Sequence, residues 1–401
     1  MIYKKLKELC VLKNGYAFKS KDFSQNGVPV IKIKNVKPNK IVLEGLSYVP
    51  REIADSKLEY KISNGDILIT MTGNRADGSP DSWVGKVALF REEGTYLLNQ
   101  RLAIIRPISD DVDSEYLAYY LSSWETQLYF IKRANSSGGQ ANISPSIVGE
   151  YDIALPSKNV QMKIASLLRD FDLKIRLNAN INNNLLEQAL TMYDTQFAAL
   201  DKNGCIGDYC SVKSGFAFKS SWWTTTGIKV IKIGSINQDN LNLSECSFVD
   251  EDKIDKAKEF KVNAGDLLIA MTGATIGKFA MVPYYSDTLL VNQRVGKFFL
   301  GNNPVEKLPF IYCTLKQPYV YCEIVNRGQG SAQPNISASD IMSIPCVIPS
   351  KEAINEFNET IQPLFDLIIS NQRENHQLST LRDSLLTKLM SGELDVSNID
   401  L

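Results

Sequence analysis

The octapeptide KNGYAFKS at 13–20 returns as KSGFAFKS at 213–220. At the same offset of 200, VIKI (30–33) returns as VIKI (230–233), and GDILITMTG (65–73) returns as GDLLIAMTG (265–273). Eleven residues separate Gly73 from Gly85, whereas three separate Gly273 from Gly277, so the first copy carries an insertion around NRADGSPDSW (74–83). Beyond it the copies realign at an offset of 193: NQR (99–101) on NQR (292–294), NIS (142–144) on NIS (335–337), LPS (155–157) on IPS (348–350). Matching blocks kept in order at one long period mark a duplicated structural unit.

Each copy runs into a helical signal. Residues 158–200 contain neither Gly nor Pro. Apolar residues and two asparagines recur there in steps of three and four: Ile164, Leu168, Phe171, Ile175, Asn178, Asn182, Leu185, Ala189, Met192. The second copy is followed by Phe357, Ile361, Leu364, Ile368, Asn371, Asn375, Leu378, Leu381 and Leu385. Such spacing places the set on one helix face. Pro156-Ser157 and Pro349-Ser350 supply the turn and N-cap before each helix. Pro363 implies either a kink or a helix beginning near 362.

A helix of about 40 residues spans roughly 60 Å, and its apolar stripe needs a partner. The other copy's helix carries the matching stripe. An antiparallel pair with a globule at each end closes the chain with short connections. The midpoints then meet, which places Asn178 near Asn375 and Asn182 near Asn371, a polar layer that would penalise slipped registers. A hydrated gap of outward-splayed asparagines is the competing arrangement.

Before each helix, short runs such as VPVIKIKNV, GDILITMT, KVALF and RLAIIRP alternate with Gly, Asn, Asp and Pro and read as strands. Residues 114–132 and 305–325 have helical spacing. The expected class is α+β: two mixed α/β globules with a pseudo-two-fold internal repeat, joined by two long antiparallel helices as a coiled coil.

At 401 residues the chain is long for one domain. Its 44% apolar and 22% charged residues are ordinary globular usage. No apolar run reaches membrane-span length and the first residues form no signal peptide, so a cytoplasmic protein is expected. Seven cysteines form no CxxC pair, and reduced, mostly buried thiols are the expectation. His376 is the only histidine, which handicaps any His-based triad, multi-His metal site or proton relay. TGATIGKF (272–279) imitates a phosphate loop, but it has one residue too few between its glycines and Phe279 where a hydroxyl should bind magnesium. A turn between strands is expected there. No FxGxG-type cofactor loop or Asn/Asp-Pro-Pro-Tyr/Phe motif is present, and the ExK fragment at 251–253 reads as a solvated charge run.

The net charge is −1, unevenly spread. The first 61 residues hold 13 basic and 6 acidic groups, and 351–401 hold 4 and 9. KIKNVKPNK (32–40) is a dense Lys/Asn patch, suited to phosphate contact with Asn able to read adenine, or equally a solvated loop.

The ordered, duplicated set G-x-A-F-K-S, G-D-[IL]-L-I-x-M-T-G, N-Q-R, a Gly/Ser/Gln loop before N-I-S, and a P-S turn into a long helix resembles the specificity subunits of type I restriction–modification systems. The closing LLTKLMSGELDV is similar to that family's ending. The resemblance implies target recognition domains at 1–157 and 204–350, each reading half of a split DNA site. It implies spacer helices at 158–203 and 351–401 (the latter with the C-terminal tail) that fix the spacing and dock two methyltransferase subunits, with endonuclease/translocase subunits joining them. The subunit itself would be non-catalytic, and S-adenosylmethionine, ATP and magnesium would belong to partners.

Residues identical in both copies cannot discriminate two different half-sites. Gly15, Phe18, Gly65, Asp66 and Gly73 and their counterparts are therefore expected in turns and core, with Lys19 and Lys219 on phosphate. Further DNA contacts are expected at Lys32, Lys34, Asn35 and Lys37, and at Asn74, Arg75, Trp83 and Lys86. In the second copy they are Lys232, Ser235, Asn237 and Gln238, with Thr275 and Lys278. The Gly-rich loops add Ser136, Ser137 and Gln140, then Gln329, Ser331 and Gln333. Arg101 and Arg294 of NQR are expected to be buried and paired. A recognition subunit of another bipartite-site restriction or methylation system, a duplicated protein-binding scaffold, and an enzyme remain alternatives.

Overall fold

A computed structural model describes residues 2–75, 82–137, 140–329 and 334–397, without the side chains of Ser137 and Ser244. The chain divides into two compact units, one of residues 1–173 with 379–401, the other of residues 174–378. The boundary falls inside both long helices.

In the first unit a four-stranded antiparallel sheet has the order Val87–Leu89, Ile67–Thr70, Leu102–Pro107, Cys10–Asn14. A second sheet has the order Ser47–Val49, Val28–Ile31, Tyr96–Leu98, Lys61–Ile62, with its central pair parallel. The strand from GDILITMTG is buried at all four positions. Ile67 and Ile69 face one apolar cluster and Leu68 another, as period-2 alternation dictates for a strand covered on both faces.

The second unit repeats this plan. Its first sheet has the order Ser211–Ser214, Val295–Phe299, Leu267–Ala270, Phe279–Met281. Its second has the same parallel centre, Ile228–Ile231 beside Leu289–Val291, plus an extra edge strand, Trp223–Thr224. TGATIGKF is a short 3-10 turn leading to the strand Phe279–Met281, with Phe279 in the core.

The helical stretch of each half is broken in two. Ser114–Ser122 and Trp124–Arg133 meet at Ser123, whose hydroxyl accepts from the Thr126 amide and caps the second piece. Leu308–Lys316 and Pro318–Gly328 meet where Pro318 opens the next helix.

The long helices run Lys158–Phe197 and Lys351–Ser391. Pro363 lies inside the second, on an exposed position, so the helix does not begin near 362. In the first unit Ile164 and Leu168 share a core with Leu386, Leu389 and Met390. In the second, Ala189, Tyr193 and Phe197 share one with Phe357, Ile361 and Phe365. Within each unit, therefore, the start of one helix packs on the end of the other, and the pairing is antiparallel.

One expected stripe position is corrected. Leu381 is 49% exposed, and Arg382 takes the facing position, where Nη1 meets Asp172 Oδ1 at 2.5 Å. A straight helix drifts by about 20° per heptad, and accumulated over the more than three heptads from Phe357 the drift carries the seam towards the next residue. All seven cysteines are free thiols; Cys322 is exposed and Cys205 half-buried.

Candidate nucleic-acid interface

The separate motif blocks of each half meet at one turn. In the first unit, Asn99-Gln100-Arg101-Leu102 is closed by Leu102 N–H donating to Asn99 O at 3.0 Å. Asn99 N–H donates to Ile31 O of VIKI (3.0 Å), and Gln100 N–H to Tyr16 O of GYAF (2.9 Å). Arg101 O accepts from Met71 of the MTG block (2.9 Å), and Met71 O accepts from Ile143 of NIS (2.9 Å).

The second unit repeats every bond. Val295 donates to Asn292 O (2.9 Å), Asn292 to Ile231 O (3.0 Å), Gln293 to Phe216 O (2.9 Å), Met271 to Arg294 O (3.0 Å), and Ile336 to Met271 O (2.9 Å). The glycine before the aromatic is required by this convergence. A Cβ on Gly15 would lie 2.2 Å from Asn99 O, and one on Gly215 would lie 2.5 Å from Asn292 O.

The turn tip points outward. Gln100, Arg101, Gln293 and Arg294 are all exposed, which corrects the expectation that the two arginines are buried and paired. Among the described residues Arg101 has one long hydrogen bond, Nη1 to Gln140 Oε1 at 3.4 Å. The missed signal is positional: two polar residues between apolar strands sit at the centre of a turn, where side chains face solvent.

Beside the hub, VIKI leads into a 3-10 turn and a hairpin. In the first unit the hairpin pairs Val36–Lys37 with Lys40–Ile41 and turns at Asn39, at φ 56°. In the second it pairs Ile236–Asn237 with Asn240–Leu241 and turns at Asp239, at φ 63°. Asp239 binds Lys316 and accepts from Tyr312 Oη at 2.5 Å, holding that hairpin to the helix Leu308–Lys316.

Several residues expected at DNA are engaged within the fold. Asn35 is 1% exposed; its Oδ1 accepts from Lys32 N–H (3.0 Å) and its Nδ2 donates to Val42 O (2.9 Å). Ser235 is wholly buried, and its Oγ accepts from Lys232 N–H at 3.4 Å. Both cap the 3-10 turn, with their polar atoms spent inside the fold. Lys86 is 5% exposed. Arg75 directs its guanidinium at Ile131 O (3.2 Å), Ala134 O (2.7 Å) and Ser136 Oγ (3.0 Å), closing the end of the helix Trp124–Arg133. Trp83 packs on Trp124, with ring centroids 5.4 Å apart, and against the first unit's core.

Lys32 and Lys232 are half-buried, with Nζ 3.5 Å from the centroid of the Phe23 ring and 3.8 Å from that of Trp223. Burial lowers both ammonium pKa values, and Lys34 lowers that of Lys32 further. Lys34 Nζ donates to Gly45 O at 2.6 Å, and Lys37 is half-buried. Thr275 and Lys278 are half-buried. Lys19, Lys219, Asn237, Gln238, Gln140 and Gln329 are exposed, as is Asn74, which donates to Ser82 Oγ at 3.1 Å. Ser331, Gln333 and the side chain of Ser137 lie outside the described residues.

The GD aspartates are structural. Asp66 and Asp266 are buried and accept from the amides of Ser63 (2.7 Å) and Asn263 (2.8 Å). Their cations differ: Arg106 is bidentate on Asp66 at 2.6 Å, while Lys297 lies 2.9 Å from Asp266.

The pattern recurs in known proteins. A family profile described as Type I restriction modification DNA specificity domain matches residues 2–187 and again 202–380. The MjaIX specificity subunit of Methanocaldococcus jannaschii is 27% identical over 342 residues, covering 79% of this chain and 76% of that protein. The MjaVIII specificity subunit of the same organism is 22% identical over 363 residues, covering 85% and 82%. The crystal structure of a type I restriction–modification system S subunit from M. genitalium superposes with a TM-score of 0.54 at 17% identity, covering 97% of this chain and 96% of that one, a likeness of fold. With the profile spanning both halves, the chain belongs to the type I restriction–modification DNA specificity family.

Proposed function

We propose that each half of this specificity subunit reads one half of an asymmetric, two-part DNA site, with residues 1–157 and 204–350 as the target recognition domains. The observation that carries the reading is the pair of identically laced hubs, each bearing a hairpin of different sequence. A shared frame with divergent tips suits two related modules reading two different half-sites. Asn237 and Gln238, exposed on the second hairpin, are the favoured base contacts there.

The subunit works with other restriction–modification subunits and is itself non-catalytic. On this proposal two methyltransferase subunits dock on the long helices, and endonuclease/translocase subunits join them. Support comes from the apolar Leu177 and Ile181 of the first helix, 47% and 43% exposed and four residues apart on one face. S-adenosylmethionine, ATP and magnesium are assigned to those partners, and the assembly to the cytoplasm. No helix among the described residues is long and apolar enough to cross a membrane.

Mapping methylated genomic positions with and without the gene tests the reading. A bipartite, asymmetric motif that vanishes on deletion supports it. A palindromic or unbroken motif, or methylation unaffected by deletion, overturns it.

A further inference from the structure

We propose that the exposed Gln-Arg pair at each hub, Gln100–Arg101 and Gln293–Arg294, grips the DNA sugar–phosphate backbone in the same way at both half-sites and reads no base. The inference rests on the DNA-reading proposal and deepens it by separating phosphate contact from base contact.

Several observations converge. The backbone of each turn is tied by hydrogen bonds to the GxAF, VIKI and MTG blocks, with matching bonds of 2.9 or 3.0 Å in the two units. The side chains thus start from a fixed platform, and less conformational freedom is lost on binding. Gln and Arg enter these bonds through backbone atoms alone, so the bonds do not account for the identity of the two exposed side chains. Because the pair is the same in both halves, it cannot tell one half-site from the other; what two different half-sites share is phosphate.

The arginines also lack the partner that occupies others in this protein. Arg106, Arg169, Arg327 and Arg382 each hold a carboxylate. Among the described residues Arg101 has only the long contact to Gln140, and the Arg294 guanidinium has no hydrogen bond or ion pair. Finally, Arg294 borders an open groove of about 540 Å³ lined by Ser214, Thr272, Gln293, Asn335 and Ser337, with no carboxylate among its lining residues. Thr272 Oγ1 is buried there without a hydrogen-bond partner among the described residues, whereas its counterpart Thr72 Oγ1 donates to Asn142 Oδ1 at 2.8 Å. Ser337 Oγ is taken up by the Asp340 carboxylate at 2.6 Å, which leaves the Thr272 hydroxyl, the amides and the guanidinium as groups that suit a phosphodiester.

The test uses the subunit assembled with its methyltransferase. Wild type, Arg101→Ala, Arg294→Ala and the matching lysine variants are titrated with the mapped target duplex and with duplexes altered in either half-site, over a range of salt. Each alanine variant should weaken binding to all duplexes by a common factor of about tenfold. It should also flatten the log–log salt dependence by roughly one unit, and leave the methylated motif unchanged. Lysine should restore the salt slope. Unchanged affinity and slope would overturn the proposal, as would loss confined to particular base pairs of one half-site. A drop in melting temperature that lysine does not repair would assign the arginines to the fold and overturn it too. If wild type bound no duplex, the DNA reading itself would fall; if wild type bound and the alanine variants matched it, only the phosphate grip would.

Discussion

Asn371 Nδ2 donates to Asn182 Oδ1 at 2.8 Å, with both residues 8% exposed between the long helices of the second unit. One helical turn away, Asn178 Nδ2 donates to Asn375 Oδ1 at 2.9 Å and also reaches Glu374. An amide facing leucine would be left unpaired, so this layer favours one alignment of the two helices over its neighbours.

Asn182→Leu should therefore cost about 1–3 kcal/mol by leaving the Asn371 amide buried and unpaired. Adding Asn371→Leu should recover most of that loss. Urea unfolding of the four species of the cycle measures the coupling. Additive effects would show that the two amides act independently.

Gly15→Ala and Gly215→Ala should each destabilise by about 1–3 kcal/mol, because the new methyl meets a carbonyl oxygen of the NQR turn. Gly234→Ala is the control: nothing lies within 4 Å of a Cβ there, and its effect should stay within about 0.5 kcal/mol. Denaturant midpoints decide. Equal effects at Gly15 and Gly234 would remove the steric account of the motif glycine.

Burial raises the Asp266 carboxyl above its ordinary value, and Lys297 opposes that rise. In Lys297→Met the folded-state value climbs further above the unfolded one, near 4. Native protein then holds a proton that unfolded protein has released. Stability of the variant should fall as pH rises from the unfolded value through the folded one, then level off. The deficit against wild type should be small near pH 4 and reach about 3–5 kcal/mol at neutral pH, where the carboxylate is charged and unpaired. A deficit independent of pH would contradict this.

Asn237→Ala and Gln238→Ala should alter recognition in one half-site only, losing about 1–3 kcal/mol of discrimination at the affected base pair. The methylated motif is the readout. A motif unchanged in both halves would exclude the second hairpin as a base reader.

Much of this architecture can be read without coordinates because duplication makes the chain its own comparison. KNGYAFKS with KSGFAFKS, GDILITMTG with GDLLIAMTG and the two NQR blocks identify one module present twice. The two Gly-free runs with Asn at their centres point to an antiparallel helix pair. Periodicity and repetition survive in the linear order, since burial on a strand or helix face follows directly from residue spacing.

Which polar side chains turn inward was decided only by tertiary structure. Asn35 and Lys34 look alike in KIKNVKPNK, yet a 3-10 turn captures Asn35 as its cap, while Lys34 stays exposed with Nζ on a neighbouring carbonyl. Arg75 reads as free and Arg101 as buried and paired, yet Arg75 closes a helix end 56 to 61 residues away and Arg101 projects from a turn tip. Such outcomes depend on hydrogen bonds between distant segments, whose partners exist only once the chain has folded.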